Sequence, residues 1–399
     1  MTRPDRRHVA DISLDDLERD PDPILAELRA NTPVAYVPSM EMWLVTRWDD
    51  VAWVEAHPEL FTAATDPSFL ARALGPNMLT CDPPEHTRVQ QMLQPPFRPG
   101  GRSGDFVDGE LPAMADALLD RLPDEPFDLM TEYAQPLSAG ALAAVLGLDE
   151  WGMSTMWQWC VDLCGDIANF ENEPGATARG DRAKGELATA IRQRIDAVDD
   201  EDRSAISAFV RAGAATDEIV NNVRLMISGG INEPRDGIGL VTWVLLDQPA
   251  LRAEVGNEPR LLRRLVEEVI RVHSPVGTVT RMATSDTEVA GVPIGAGELV
   301  SGILRSANLD ERQWTDPTSI DLHRGEGPHA GFALGVHRCL GEWLGRQEVR
   351  VGVQRLFERF PDLALQTGTD VEIRGFEFRG PTALWVAPSA RSEPGPPSN

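Results

Sequence analysis

The most informative segment of the sequence is Phe332-Ala-Leu-Gly-Val-His-Arg-Cys-Leu-Gly341, which directly precedes a predicted helix at 342–360. Cys339 therefore stands where the free N–H groups of a helix start point, and such groups favour a thiolate. Gly335 and Gly341 allow tight backbone turns around the sulfur. The segment thus predicts a cysteine held by backbone donors.

Three uses of Cys339 remain open from these residues alone. A thiolate held by backbone donors suits the axial position of a haem iron. A lone buried cysteine more commonly behaves as a small hydrophobic side chain. A zinc site is the third reading, although the spacings match none of the usual zinc patterns; its other candidates are His323, His329 and His337.

Composition excludes several classes of protein. The 399 residues include 37 Lys and Arg against 63 Asp and Glu, a formal net charge of −26. Such a surface repels nucleic acid and anionic membranes. We find no apolar run long enough for a membrane span, and Met1 to His8 has no apolar stretch behind it that would make a secretory signal. Four cysteines are too few for a disulfide scaffold, so a reducing cytoplasm is expected.

The layout is mainly α with small β sheets. A polar, loosely packed N-terminal segment (1–20) is expected before a single catalytic domain (21–386) and a disordered tail (387–399). Predicted helices cover 23–30, 51–56, 111–122, 136–146 and 259–272, and predicted strands cover 42–46, 288–292 and 383–386.

The clearest helix begins at Thr216, which we interpret as its N-cap, and continues to Pro249. At about thirty residues it is long for a globular domain. Gly229, Gly230 and Pro234 are expected to break it in the middle, since proline cannot donate to the carbonyl four residues before it.

Glu268 and Arg271 stand three residues apart on the predicted helix 259–272, so they share a face. Taken alone, such a pair is usually a solvated ion pair that adds little stability. It gains weight only with the cysteine loop downstream.

Together these segments resemble a bacterial cytochrome P450, a haem-thiolate monooxygenase, in the order in which that family carries them. The resemblance makes Cys339 the proximal ligand of haem b and implies the family's mainly α fold around it. Glu268-Val-Ile-Arg271 is similar to the family's Glu-x-x-Arg pair, and Arg324 to the arginine that completes its buried network. Ala307-Asn308 resembles the stretch leading to the haem loop.

The same resemblance implies a set of groups around the haem. His86, in Asp82-Pro-Pro-Glu-His-Thr-Arg88, corresponds to the histidine that holds a haem propionate, and Arg281 and His337 correspond to its partners. Phe332 and Gly341 bound the loop. Arginine and histidine are suited to this task because buried carboxylates need cationic or hydrogen-bonding partners.

The sequence departs from the family pattern at three places. Ala333 stands where the family has glycine or another small polar residue, so the loop is expected to shift slightly. Gln90 replaces an expected arginine, for which Arg88 is a candidate substitute. Asn232 and Glu233 replace the usual acid–alcohol pair that delivers protons to oxygen. Glu233 is the candidate proton carrier, beside a helix opening expected at Gly230.

Substrate-facing positions are predicted from the family's variable regions. They are Leu79, Phe170, Gly230, Val276, Thr278, Val279 and Phe378, with Phe376 as the alternative to Phe378.

The implied function is activation of dioxygen to hydroxylate or O-demethylate a small organic substrate, for instance a methoxyaromatic or an intermediate of secondary metabolism. Electrons would come from a ferredoxin or flavodoxin-like donor with an NAD(P)H reductase. A basic docking patch is expected from Arg88, Arg98, Arg102, Arg338, Arg346 and Arg350. Two alternatives stay open: non-monooxygenase haem-thiolate chemistry (oxidative coupling, peroxide use or nitrogen-group transfer), and haem binding without turnover.

Overall fold

The computed structural model describes residues 9–388, most of which are helical. In chain order the α-helices are α1 (Leu14–Arg19), α2 (Pro21–Asn31), α3 (Trp48–Ala56), α4 (Phe69–Leu74), α5 (Glu85–Leu93), α6 (Arg102–Asp105), α7 (Leu111–Leu119), α8 (Gln135–Leu146), α9 (Gly152–Ile167), α10 (Pro174–Asp196), α11 (Ala205–Arg211), α12 (Thr216–Asp247), α13 (Pro249–Asn257), α14 (Leu262–His273), α15 (Leu304–Asn308) and α16 (Glu342–Arg359).

The strands are short and form four small sheets. They are β1 (Val34–Val37), β2 (Met42–Val45), β3 (Phe61–Thr62), β4 (Phe127–Asp128), β5 (Thr278–Ala283), β6 (Thr287–Val289), β7 (Val292–Ile294), β8 (Leu299–Ile303), β9 (Ala364–Leu365), β10 (Ile373–Arg374), β11 (Gly380–Pro381) and β12 (Trp385–Ala387). The largest sheet has the order β1-β2-β8-β5-β3, with β2 and β8 parallel. The predicted mainly α architecture with small sheets is confirmed.

Helix α12 crosses the interior and contacts α8, α9, α10, α14 and α16. It remains helical over all 32 residues, so the predicted break is wrong. Packing explains this: Ile231 and Ile238, on either side of Pro234, are fully buried. Tertiary packing of this kind can offset the cost of roughly 3 kcal/mol that an internal proline imposes. The Ser138 hydroxyl also donates to the Ile231 carbonyl at 2.7 Å.

Several predicted boundaries need correction. Thr216 is the first helical residue of α12 and Ala215 is its N-cap, so Thr216 does not cap the helix. Residues 288–292 are not one strand, because Ala290 and Gly291 adopt positive φ and form the turn between β6 and β7. Residues 259–261 form a 3₁₀ turn before α14.

Both ends of the described chain make some contacts with the rest of the fold. In the N-terminal segment Leu17 of α1 is fully buried and Val9 bridges to Tyr36, while the other side chains between residues 9 and 20 are exposed or half-buried. Ala387 belongs to β12, which pairs with β4 and β9. The rest of the predicted tail, residues 389–399, lies outside the described residues.

None of the helices between residues 9 and 388 combines the length and apolar character that a membrane crossing requires.

Candidate active site

The cysteine loop is closed by its own backbone. The Cys339 N–H donates to the Phe332 carbonyl at 2.9 Å, which brings the two ends of the loop together. Gly335 has φ 61°, and a Cβ there would lie 2.2 Å from the carbonyl oxygen of Glu55 on α3. Glycine is therefore required at this position for the loop to pack against α3. The Arg346 guanidinium lies 4.0 Å from the centre of the Phe332 ring and covers it.

Cys339 is exposed, although neighbouring protein groups lie around its sulfur atom. Burial raises its pKa to about 11, and the opposing effect of the Gly341 backbone N–H is smaller. The helix start by itself therefore does not lower the pKa of this thiol below its ordinary value. A bound metal ion would displace the proton itself, because metal ligation requires the thiolate.

Ala333 is the strained position in this loop. Its φ is 58°, in the left-handed region where a Cβ costs roughly 1–2 kcal/mol. The Ala333 N–H nevertheless donates to the Ala330 carbonyl at 2.8 Å. The loop thus accommodates the methyl group through local strain.

His86 on α5 and His337 in the loop face each other in the interior. Their ring centres are 4.3 Å apart. Neither ring has a hydrogen-bond partner for either nitrogen within the described part of the chain. The nearest acid is Asp82, whose Oδ1 lies 3.6 Å from His337 Nε2. Burial lowers the pKa of His86 and lowers that of His337 to about 3, so both are neutral and can each donate one N–H. Unsatisfied buried polar groups of this kind fit an anionic ligand group.

Arg281 of β5 lies at the same place but has a partner that sequence reasoning missed. Its Nη2 donates to Glu55 Oε2 at 2.7 Å, and Nη1 donates to the Thr280 carbonyl. Glu55 is 4% exposed, and burial raises the pKa of its carboxyl despite the arginine. A buried glutamate within the apolar pattern of α3 was the available signal.

Arg88 does not join this group. Its side chain is half-exposed and donates to Glu85 and Glu218. Two residues apart on a helix means nearly opposite faces, so a buried His86 directs Arg88 away. The prediction that Arg88 substitutes for the arginine missing at Gln90 is therefore wrong.

The Glu268 network lies behind the loop, as the resemblance implies. Arg271 donates to both Glu268 oxygens at 2.9 Å, and Arg324 Nε donates to Oε2 at 2.8 Å. Burial would raise the pKa of Glu268, but these bonds and the Asp321 N–H lower it. Arg271 also donates to the carbonyls of Asn308, Pro317 and Ser319, so one guanidinium ties α14 to the chain that leads to the loop.

Asn308 makes the second connection. Its Oδ1 accepts from the Ala330 N–H at 2.7 Å, and its Nδ2 donates to Ser274 Oγ at 2.9 Å. The buried amide therefore fixes the start of the loop segment relative to α14.

The described side chains do not form the zinc site that the sequence left open. His323 contacts Glu254 at 2.8 Å and His329 contacts Glu267 at 3.0 Å, so each histidine is occupied elsewhere. Between residues 9 and 388 no group of three or more His, Cys, Asp or Glu side chains is arranged to hold a metal ion.

Glu233 lies on α12 and is half-buried. Its Oε2 is buried and has no hydrogen-bond partner in the described chain. Burial raises its pKa well above the usual range, and the nearby carboxyls of Asp236 and Glu377 add to this. Asn232 points elsewhere, toward Asp236 Oδ2 at 3.4 Å. Asn232 thus donates to Asp236, whose carboxyl also raises the pKa of Glu233.

Glu377 is a further acid in this region. It lies on the segment between β10 and β11 and accepts a hydrogen bond from Thr278 Oγ1 of β5. Burial raises its pKa to about 7. Glu377 stands between Phe376 and Phe378, and no pattern in the sequence singles it out.

The remaining predicted pocket residues divide into two groups. Val276 bridges to Phe378, and Thr278 contacts Glu377, so these three residues meet near one another. Val279 lies on the opposite face of β5, against Gly302 in the sheet core. Phe376, the alternative to Phe378, is buried core.

Three predicted pocket positions lie on other elements. Phe170 stacks edge-on against Phe69 with ring centres 5.1 Å apart. Leu79 packs against the main core, and a Cβ on Gly230 would meet Leu142 at 3.1 Å.

Comparisons with known proteins agree with this geometry. The family model described as Cytochrome P450 matches residues 256–377. The Vitamin D(3) 25-hydroxylase of Pseudonocardia autotrophica is 31% identical over 88% of this chain and 89% of that protein. The Nocardicin C N-oxygenase of Nocardia uniformis subsp. tsuyamanensis is 31% identical over 92% and 94%. The ligand-free structure of cytochrome P450 TbtJ1 superposes with a TM-score of 0.84, at 26% identity, over 95% of this chain and all of that one.

The chain belongs to the cytochrome P450 family and is an oxidoreductase. The family implies a haem iron with a cysteine thiolate ligand. The residues present fit that group: an accessible cysteine closes the loop, and buried histidines with free ring nitrogens lie beside an arginine.

Proposed function

We propose that this protein hydroxylates or O-demethylates a small organic substrate with oxygen from dioxygen, using haem b ligated by Cys339. The observation that carries the proposal is the juxtaposition of that cysteine loop with the unpartnered nitrogens of His86 and His337. Relatives named as a hydroxylase and an N-oxygenase support oxygen insertion as the class of reaction.

Some of the residues would hold the haem and orient the substrate, and others would transfer protons. When bound, thiolate-ligated haem supplies the activation of dioxygen. His86, His337 and Arg281 would hold its carboxylates, and the closed loop would hold the sulfur at its position. Val276, Thr278 and Phe378 would form part of the wall that orients the substrate.

Glu233 is proposed as the proton donor. Burial raises the pKa of its carboxyl well above the usual range, which favours the protonated form, and Oε2 has no hydrogen-bond partner in residues 9–388. Proton donation by such a group typically contributes about 10²–10⁴-fold in rate.

The electron donor is proposed to be a ferredoxin or flavodoxin-like protein served by an NAD(P)H reductase. The expected arginine patch is weaker than its composition suggests. Arg88, Arg102, Arg338 and Arg346 all pair with glutamates. Arg98 and Arg350 hydrogen-bond only to glutamines among the described residues, so they are the stronger candidates for contact with an acidic donor.

A second candidate is haem-thiolate chemistry without monooxygenation. It is favoured by the position of Asn232, which is bonded to Asp236, and by the replacement of the acid–alcohol pair. Oxidative coupling, peroxide use and nitrogen-group transfer belong to this class.

One series of measurements separates these candidates. A substrate panel is first screened for the change in ferric spin state, and each ligand is then turned over under ¹⁸O₂ with a surrogate donor. The proposal expects ¹⁸O in the product or in released formaldehyde. A product without label, formed at a comparable rate, favours the second candidate. NADPH use that does not respond to any ligand indicates haem binding without turnover.

A further inference from the structure

One buried charge near the cysteine loop has no role in the chemistry above. Glu55 is 4% exposed, and its Oε1 has no hydrogen-bond partner in the part of the chain that the structure describes. Its other oxygen binds Arg281 Nη2 at 2.7 Å. Burial of a carboxylate is costly unless each oxygen has a cationic or hydrogen-bonding partner.

The packing of α3 on β5 fixes this pair. Val51 and Val279 meet above Gly302, where each lies 3.2 Å from an added Cβ. Glu55 follows Val51 by one helical turn, and Arg281 follows Val279 by two strand positions. The ion pair therefore continues the same packed face. The Glu55 carbonyl also abuts Gly335, so the residue lies directly against the cysteine loop.

The two histidines complete the local charge inventory. Arg281 acts on the pKa of both His86 and His337, so its guanidinium is close to both rings. Asp82 is the other acid at this place, 3.6 Å from His337. A cofactor carboxylate that binds the histidines would therefore meet an arginine already paired with a glutamate.

We propose that Glu55 is a positioning residue for the cofactor carboxylates: it holds the Arg281 guanidinium in place and shares its positive charge. The inference rests on the proposed haem site but not on turnover. A guanidinium has five N–H donors and can serve two carboxylates at once. The shared charge leaves the haem edge more negative, which stabilises the ferric over the ferrous state.

The test uses the holoprotein and a substitution that removes the negative charge of Glu55 but keeps the shape of its side chain. Glu55→Gln keeps an oxygen that accepts from Arg281 but removes the negative charge. Its matched control is Asp49→Asn, which removes one exposed charge from the same helix. We expect a more positive ferric/ferrous reduction potential in Glu55→Gln alone. Haem transfer to excess apomyoglobin should slow by about tenfold, since Arg281 then acts fully on the haem carboxylates.

Two further variants separate charge from position and guard against a poorly folded glutamine variant. Glu55→Leu also removes the charge, so its potential should rise too, but haem transfer should be faster because Arg281 is no longer held. In an Arg281→Gln background, Glu55→Gln should leave the potential unchanged, because an unpaired buried glutamate is already protonated.

Equal potentials for wild type, Glu55→Gln and Glu55→Leu would overturn the proposal. So would an equal shift in Asp49→Asn, or a shift in Glu55→Gln that persists without Arg281. These readouts need no substrate, so they stand apart from the failure of the proposed reaction, which appears as missing label in the product.

Discussion

The two sides of the candidate active site differ in how many hydrogen-bond donors their carboxylates have. On the proximal side, which comprises the 332–341 loop and the Glu268–Arg271–Arg324 network, the Glu268 carboxylate has several donors. On the distal side, which comprises the middle of α12 and the residue 377 region, Glu233 and Glu377 are half-buried, and burial raises the pKa of both carboxyls. The proximal side is built to be rigid, whereas the distal side holds carboxyls that can change protonation.

The largest effect is expected from breaking the proximal network. Arg271→Met removes the donors to Glu268 and to three carbonyls, leaving a buried carboxylate with fewer partners. Loss of one partner of a buried pair typically costs about 3–5 kcal/mol. Urea denaturation should show this loss together with poor haem incorporation. The control, Arg260→Met, breaks an exposed pair with Glu258 and should cost less than about 1 kcal/mol. Similar costs for both would contradict a structural role for the network.

Replacing the distal acid should leave stability intact but uncouple the reaction. Glu233→Gln should keep haem and the substrate-induced spin change. Product per NADPH should fall and peroxide release should rise, with up to about 10²-fold loss in the coupled rate. Asp217→Asn, which alters an exposed acid on the same helix, is the control. If Glu233→Gln instead weakens substrate binding with coupling unchanged, the carboxyl orients substrate and is not the proton donor.

The pKa of Glu377 is raised, whereas that of Glu268 is lowered. We therefore expect these two carboxyls to make the stability of the fold depend on pH in opposite directions. The pKa of Glu377 is about 7 in the folded protein against an ordinary 4.5, so the unfolded chain ionises first as pH rises. Its contribution to stability therefore falls by roughly 3 kcal/mol between about pH 4.5 and 7 and is constant above that pH.

The measurement is the difference between wild type and Glu377→Gln in free energy of unfolding from pH 4.5 to 8. The variant should lose less stability than wild type over the lower part of this range. Glu372→Gln, at an exposed acid nearby, should follow wild type. Parallel curves for all three would mean that Glu377 is solvated.

The smallest effect is expected within the cysteine loop. Ala333→Gly should relieve the positive φ and stabilise the protein by about 1 kcal/mol or less, because glycine also gains entropy in the unfolded chain. Ala290→Gly, at φ 50° in the β6–β7 turn, should have the same sign but leave the haem spectrum unchanged. A loss of stability in Ala333→Gly would show that the methyl group makes contacts that outweigh the strain.

The same contrast explains what could be predicted from sequence. The proximal residues are a short run around Cys339 and two charged residues three apart, so local spacing already indicated that they act together. The structure joins Glu268, Arg271 and Arg324 as expected. The prediction for Arg88 was wrong because the helix face on which Arg88 lies, rather than its distance in sequence from His86, decides what its side chain can reach.

The distal residues come together only through tertiary packing. Glu377 meets Thr278 across 99 positions of sequence, and Glu55 meets Arg281 across 226, so no local pattern links either pair. The predicted break in α12 was wrong for the same reason. Tertiary packing on both sides of Pro234 outweighs the local tendency of proline to break a helix.

The most direct test of the account is the spectrum of the reduced protein with carbon monoxide, compared between wild type and Cys339→Ser. We expect the strongly red-shifted Soret band of thiolate-ligated haem in wild type and its loss in the variant. Cys81→Ser serves as the control and should retain the band. A wild type without this band, or a Cys339→Ser protein that keeps it, would contradict Cys339 as the haem ligand.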